Sequence, residues 1–120
     1  FNDYSSVIKI SFLNTSFLFT GDAETFTEDY LISNNCNLKS DVLKVGHHGS
    51  STSSSLKFLK AVNPSVAIIS VGNNNTYGHP SLQTLTSLKN MNIDTYRTDL
   101  NGTIILSSNG NIINITLSSK

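Results

Sequence analysis

Apolar residues in this chain come in short runs and short alternations, and their spacing predicts the elements in order. Residues 6–12 alternate, with Ile8, Ile10 and Phe12 on one side and Lys9 and Ser11 on the other, the period-two signature of a half-buried strand. After an Asn14-Thr15 turn, Phe17, Leu18 and Phe19 predict a second strand that runs into Thr20-Gly21-Asp22. Residues 24–33 then read as helix, Phe26 and Tyr30 standing one turn apart and acids crowding the first turn. Residues 42–45 form a short strand, and residues 53–62 a helix with Leu56 and Leu59 on one face and Phe58 and Val62 beside them. Residues 66–71 are nearly continuously apolar, as strands covered on both faces are. A Gly- and Asn-rich loop follows to Pro80, which suits the first position of a helix buried along Leu82, Leu85 and Leu88. Residues 93–97 predict another strand, 99–102 a turn, and 103–106 with 111–117 a hairpin closed across Asn109-Gly110 in a type I′ turn. Two strands, then strand-helix units, then antiparallel strands predict an α/β fold, a mixed β-sheet with helices packed on it.

Composition narrows the function. At 120 residues the chain is one domain or part of one, and it shows no internal repeat and no linker. Eight acidic and eight basic residues leave no net field to draw in nucleic acid or an anionic membrane. A polyanionic partner would have to be held locally, by metal or by helix ends. Cys36 has no second cysteine to pair with inside the chain and reads as a structural thiol. The apolar runs are strand-sized, far short of the ~20 residues that span a bilayer, so this segment is not expected to be transmembrane. Phe1-Asn2-Asp3 carries neither an initiator methionine nor a signal pattern, as in a segment of something longer or a mature form.

The candidate chemistry lies just past three predicted buried strands, at Asp22, at His47 and His48, and at His79. In layered α/β folds such ends share one edge of the sheet, where ligands bind. All three histidines of the chain fall in these loops. Asp22 can cap the following helix or ligate a cation, and one carboxylate can bridge two metals. In an extended stretch His47 and His48 would point in opposite directions, one toward metal and the other toward substrate or a carboxylate. Gly46 and Gly49 would remove side chains that crowd an ion or a phosphoryl oxygen, and the serines from Ser50 onward would offer a helix cap and free amides for an anion. His79, between Gly78 and Pro80, can serve as metal ligand, as hydrogen-bond donor or as general acid, and Tyr77 can either donate similarly or pack. For each histidine the plain alternative is a polar loop residue without a ligand.

Five motifs occur in order: Phe17-Leu-Phe-Thr-Gly-Asp-Ala-Glu24, Asp41-Val-Leu-Lys-Val-Gly-His-His-Gly-Ser50, Val66-Ala-Ile-Ile-Ser-Val-Gly72, Tyr77-Gly-His-Pro80, and Tyr96-Arg-Thr-Asp99 followed by Gly102-Thr103. Together they resemble the metallo-β-lactamase-fold domain of the ComEC/Rec2 competence proteins and related stand-alone hydrolases. The resemblance covers nearly the whole chain and implies an αββα sandwich with two zinc ions, manganese being an alternative, that hydrolyses phosphoester bonds. DNA is the expected substrate in the competence proteins. It further implies Asp22 as the metal-bridging carboxylate, His48 as a ligand of the second metal, and His47 and His79 as catalytic residues at the substrate.

The family's early His-x-His-x-Asp-His ligand motif has no counterpart here: no histidine precedes Asp22, and the only earlier acid is Asp3. Residues 1–120 are therefore expected to be the C-terminal half of one such domain, inactive alone, with the rest of the domain and a membrane channel domain as partners. An extracytoplasmic or secreted location goes with that reading. Two alternatives stand beside it, a surface phosphodiesterase for a small substrate such as a phosphocholine ester and a non-catalytic nucleic-acid binding module.

Overall fold

The computed structural model describes residues 4–118; Phe1, Asn2 and the early acid Asp3 lie outside the described residues. Five strands form one sheet in sequence order: β1 (Ile8–Phe12), β2 (Thr15–Phe19), β3 (Val42–Lys44), β4 (Val66–Ile69) and β5 (Asp94–Arg97). β1 and β2 are antiparallel, a tight turn sufficing to join them, while β2 through β5 are parallel. Each parallel step needs a crossover. These are supplied by α1 (Thr25–Ser33), α2 (Leu56–Val62) and α3 (Leu82–Asn90).

Strand alternation separates the two faces of the sheet. Leu18, Leu43, Val45, Ala67 and Ile69 are all but sealed and join Phe58, Leu59 and Val62 of α2 and Leu88 of α3 in one core. Leu31 and Ile32 of α1 pack against the same cluster. The helices thus cover one face. The register pairs Ile8 with Phe19 and Ile10 with Phe17, which sets these residues on the opposite face with Val42, Lys44 and Ile68. There Ile8, Ile10 and Phe12 remain about half exposed (54%, 52% and 49%), so an apolar sheet face stands largely uncovered. Part of it meets Ile104 and Leu106 of a separate hairpin, β6 (Thr103–Ser108) with β7 (Ile113–Ser118), across a gap of about 410 Å³.

Phe26 and Tyr30 lie on the solvent face of α1, whose buried positions are Glu28 and the partly covered Leu31 and Ile32, one turn on. Several local expectations are corrected. Leu56 and Leu82 are exposed because each is the first residue of its helix, beyond the sheet's reach, and buried Thr84 takes the place expected of a leucine. Pro80 precedes the cap of α3, which is Ser81, its hydroxyl accepting from Thr84 N. Residues 98–101 are a short helix, α4 (Thr98–Asn101), rather than a plain turn. Its Thr98 hydroxyl accepts from Val71 N at 2.8 Å and donates to Val71 O at 2.9 Å, binding it to the chain just past β4. The hairpin is joined by four residues, 109–112, since β6 and β7 pair out to Ser108 and Ile113. Asn109 Oδ1 accepts from both Asn111 N and Ile112 N, and this side-chain turn replaces the expected two-residue one.

Candidate active site

The site forms where β2, β3 and β4 end. After Phe19 the chain turns through Thr20, whose hydroxyl donates to Lys44 O, and through Gly21 at φ +55°, delivering Asp22. Asp22 N donates to Ser5 Oγ at 3.2 Å. The cap residue of α1 is Glu24, so the Asp22 carboxylate is not spent on capping.

β3 empties into a tight turn, Gly46–Gly49, kinked at its two histidines, and this replaces their expected extended geometry. His47 (φ 50°, ψ 43°) and His48 (φ 54°, ψ 25°) are both left-handed, which costs a residue with a Cβ about 1–2 kcal/mol each. Such paired strain persists only where the surroundings hold it. Here His47 N donates to Gly21 O at 2.9 Å, tying this turn to the Asp22 loop. The flanking glycines serve packing rather than an open cradle. A Cβ on Gly46 would stand 2.9 Å from Thr20 Oγ1, and one on Gly49 2.6 Å from Pro80 Cβ. Ser81 N donates to Gly49 O at 2.9 Å, so the third loop is laid directly on the histidine turn.

That third loop is fastened by Asn75, which accepts from His79 N at 2.9 Å and donates to His79 O at 2.7 Å. Tyr77 stacks on the His79 imidazole (centroids 5.8 Å, 18° between planes), and His79 meets the His47 ring edge-on at 5.6 Å. Asp22, His47, His48, Tyr77 and His79 together line one open pocket of about 270 Å³. All four residues expected from the sequence are thus brought to one place.

Their surroundings differ. His48 Nδ1 lies 2.8 Å from Ser70 O; a carbonyl can only accept, so Nδ1 carries a proton and Nε2 is the nitrogen that can present a lone pair. His47 Nδ1 faces Glu24 Oε1 at 3.5 Å and Thr52 Oγ1 at 3.4 Å. Burial first, then the neighbouring His47 and His48, holds His79 below the ordinary histidine value, which favours its neutral ring. Lys44, on the uncovered sheet face, is held below the usual lysine value by burial, against the opposing pull of Asp22.

The serine run does not offer a free anion site. Ser54 N and Ser55 N both donate to the buried Glu28 carboxylate, and Ser55 Oγ caps α2 by accepting from Phe58 N. The Glu28 carboxyl group already occupies these amides. Glu24, Asn75, Tyr77 in its stacking role and the Ser70 carbonyl were not legible as parts of the site, although Glu24 stands two residues past Asp22 in the same motif.

A carboxylate and an imidazole with its Nδ1 tied to a carbonyl are the donor chemistry of a zinc or manganese site, and Asp22 and His48 fit it in kind. They fall short in number: among the described residues no three His, Cys, Asp or Glu side chains are placed to hold a metal ion.

A mixed sheet covered on one face by helices, with an aspartate and histidines gathered at the ends of its parallel strands, has the make-up of part of a metallo-β-lactamase fold. Residues 1–73, more than half the chain, match the metallo-beta-lactamase superfamily, and the chain belongs to it, as a ComEC/Rec2-like domain. It is 43% identical over 103 residues to ComE operon protein 3 of Bacillus subtilis, a stretch covering 86% of this chain and 13% of that protein. Against competence protein ComA of Neisseria gonorrhoeae it is 40% identical over 104 residues, 86% of this chain and 15% of the relative. Recombination protein 2 of Haemophilus influenzae matches at 46% over 79 residues, 66% of this chain and 10% of the relative. The chain therefore spans about a seventh or less of the curated relatives it matches. The superfamily generally binds metal ions, typically zinc. No helix among the described residues is long and apolar enough to cross a membrane.

Proposed function

We propose that this chain is the C-terminal half of a metallo-β-lactamase domain and that the intact protein hydrolyses phosphodiester bonds, with DNA as substrate. The observation that carries this reading is the convergence of Asp22, His47, His48 and His79 on one pocket that still lacks enough donors for a metal. The half-exposed apolar face of Ile8, Ile10 and Phe12 supports it, since a second sheet laid there would make the sandwich and bring the remaining ligands. A membrane channel domain in the same protein, with the hydrolase on the extracytoplasmic side, belongs to the same proposal.

Asp22 and His48 Nε2 would hold the zinc or manganese, which when bound lowers the pKa of water and polarises phosphoryl oxygen. The chain's own residues do the rest. Ser70 O orients His48 through Nδ1–H, and Glu24 with Thr52 orients His47 from its Nδ1 side. His79, clamped by Asn75, would offer a ring N–H to a phosphoryl oxygen where charge builds. The test is metal-dependent phosphodiesterase activity of the full-length protein, expected to vanish in both Asp22→Ala and His48→Ala. Activity unchanged in both would refute the assignment. DNA binding indifferent to chelator, with no hydrolysis under any metal, would mark the non-catalytic module instead.

A further inference from the structure

The site holds one aromatic ring that the chemistry above does not use. Tyr77 is 80% exposed although it lines the pocket, and it is not adrift: one face of its ring is stacked on His79. Its position is built. Asn75 grips both the amide and the carbonyl of His79, Gly78 turns the chain between the two rings at φ +72°, and the loop is seated on Gly49 through Ser81 N. An aromatic ring stacked on a pocket histidine and otherwise open to water is a stacking platform.

We infer that Tyr77 stacks on an unpaired nucleobase next to the scissile phosphate, so that the substrate of this site is single-stranded nucleic acid; this rests on the phosphodiesterase reading. A nucleotide carries its base beside its own phosphate, just as Tyr77 stands beside His79 at the pocket. A base inside a duplex has no free face for such a ring, whereas an unstacked one does. The charge balance points the same way. Eight acids against eight bases leave little phosphate attraction in this part of the protein, which gives contacts of another kind more weight at its pocket. A quaternary ammonium head group is the competing occupant of an aromatic face, but it is recognised by a cage of rings. Here the other rings at the pocket are imidazoles, and Tyr77 offers a single open face.

The experiment uses the full-length protein in chelator with single-stranded oligonucleotides carrying 2-aminopurine, whose fluorescence is quenched on stacking, and matched oligonucleotides abasic at that position. Wild type should quench the probe and prefer the base-bearing strand over the abasic one. The preference should be about 5- to 150-fold, the equivalent of ~1–3 kcal/mol per stacked base at ~1.4 kcal/mol per tenfold. Tyr77→Phe should keep both properties, because stacking needs no hydroxyl, and Tyr77→Leu should lose the quench and bring the preference to about one. Absence of quenching in wild type, a Tyr77→Leu variant that retains the preference, or a Tyr77→Phe variant as impaired as Tyr77→Leu would each overturn the inference. So would a Tyr77→Leu effect on phosphocholine binding alone. Quenching that depends on Tyr77 in a protein that hydrolyses no phosphodiester would leave the platform standing and reject the hydrolase.

Discussion

Three glycines around the site allow backbone strain and steric conflict to be measured apart. Gly72 has no atom within 4 Å of a built Cβ and no positive φ, so Gly72→Ala should be neutral or stabilising by up to about 1 kcal/mol through the unfolded chain. Gly78 has equal space but φ +72°, and Gly78→Ala should cost only the left-handed penalty, roughly 1–2 kcal/mol. Gly49 adds a collision to the strain. At φ +83° its Cβ would stand 2.6 Å from Pro80 Cβ and 3.0 Å from Pro80 Cα, atoms of a ring and a backbone that cannot rotate away. Overpacking of that kind costs about 1–3 kcal/mol on top of the strain, giving about 2–5 kcal/mol in all. That is a large share of the ~5–15 kcal/mol that holds a domain folded. The displacement should also break Ser81 N to Gly49 O and carry His79 away from His47, so phosphodiesterase activity should fall more in Gly49→Ala than in either of the others. Urea midpoints at constant m-value give the stability series. A Gly49→Ala variant no less stable than Gly78→Ala would refute the claim that this glycine exists to seat the Pro80 loop.

Glu28 gives the pH prediction. Its carboxylate accepts the Ser54 and Ser55 amides from a position only 2% exposed, and removing it in Glu28→Ala should cost about 2–4 kcal/mol for two amides left without an acceptor. Burial holds its pKa above the ordinary 4.5, outweighing the amides that pull it down. A raised folded-state value means that its titration favours folding below pH 4.5, and this contribution is lost as pH rises through the folded value. The stability of wild type relative to Glu28→Gln should therefore decline from pH 4.5 upward, and a difference that grew with pH would contradict the burial term. Asn75→Ala should unclamp His79 at the cost of about 1.5–4.5 kcal/mol for three hydrogen bonds, one of them to Gly72 O, and should lower turnover by about 10- to 100-fold through misplacement alone, read as kcat with the urea midpoint as control.

Periodicity and punctuation determined most of the architecture. Alternation in β1, the apolar runs of β3 and β4, and Gly or Asn between them put the strands in order, and the loops with histidine fell at strand ends because loops there are where apolar patterning stops. Which face each helix buries was less legible. Phe26 and Tyr30 have the right spacing for a core stripe, yet the sheet lies on the Glu28 side, and that rotation of about half a turn around the helix axis is decided by packing partners far away in sequence. The acid could be buried because two amides from residues 26 and 27 positions later meet it.

The candidate site divides along the same line. Asp22, His47, His48 and His79 were readable from residue type and placement at strand ends. Their geometry was not, because it depends on contacts between loops that sequence spacing does not encode. Only the folded chain shows that His47 and His48 are both left-handed, that Gly49 makes room for Pro80 rather than for a ligand, and that Glu28 already fills the amides of the serine run. The sequence by itself determined which groups could do chemistry, since that follows from side-chain type. Tertiary structure decided their tautomers, their partners and the stacked Tyr77, since those are set by atoms that meet only after β2, β3 and β4 are laid side by side.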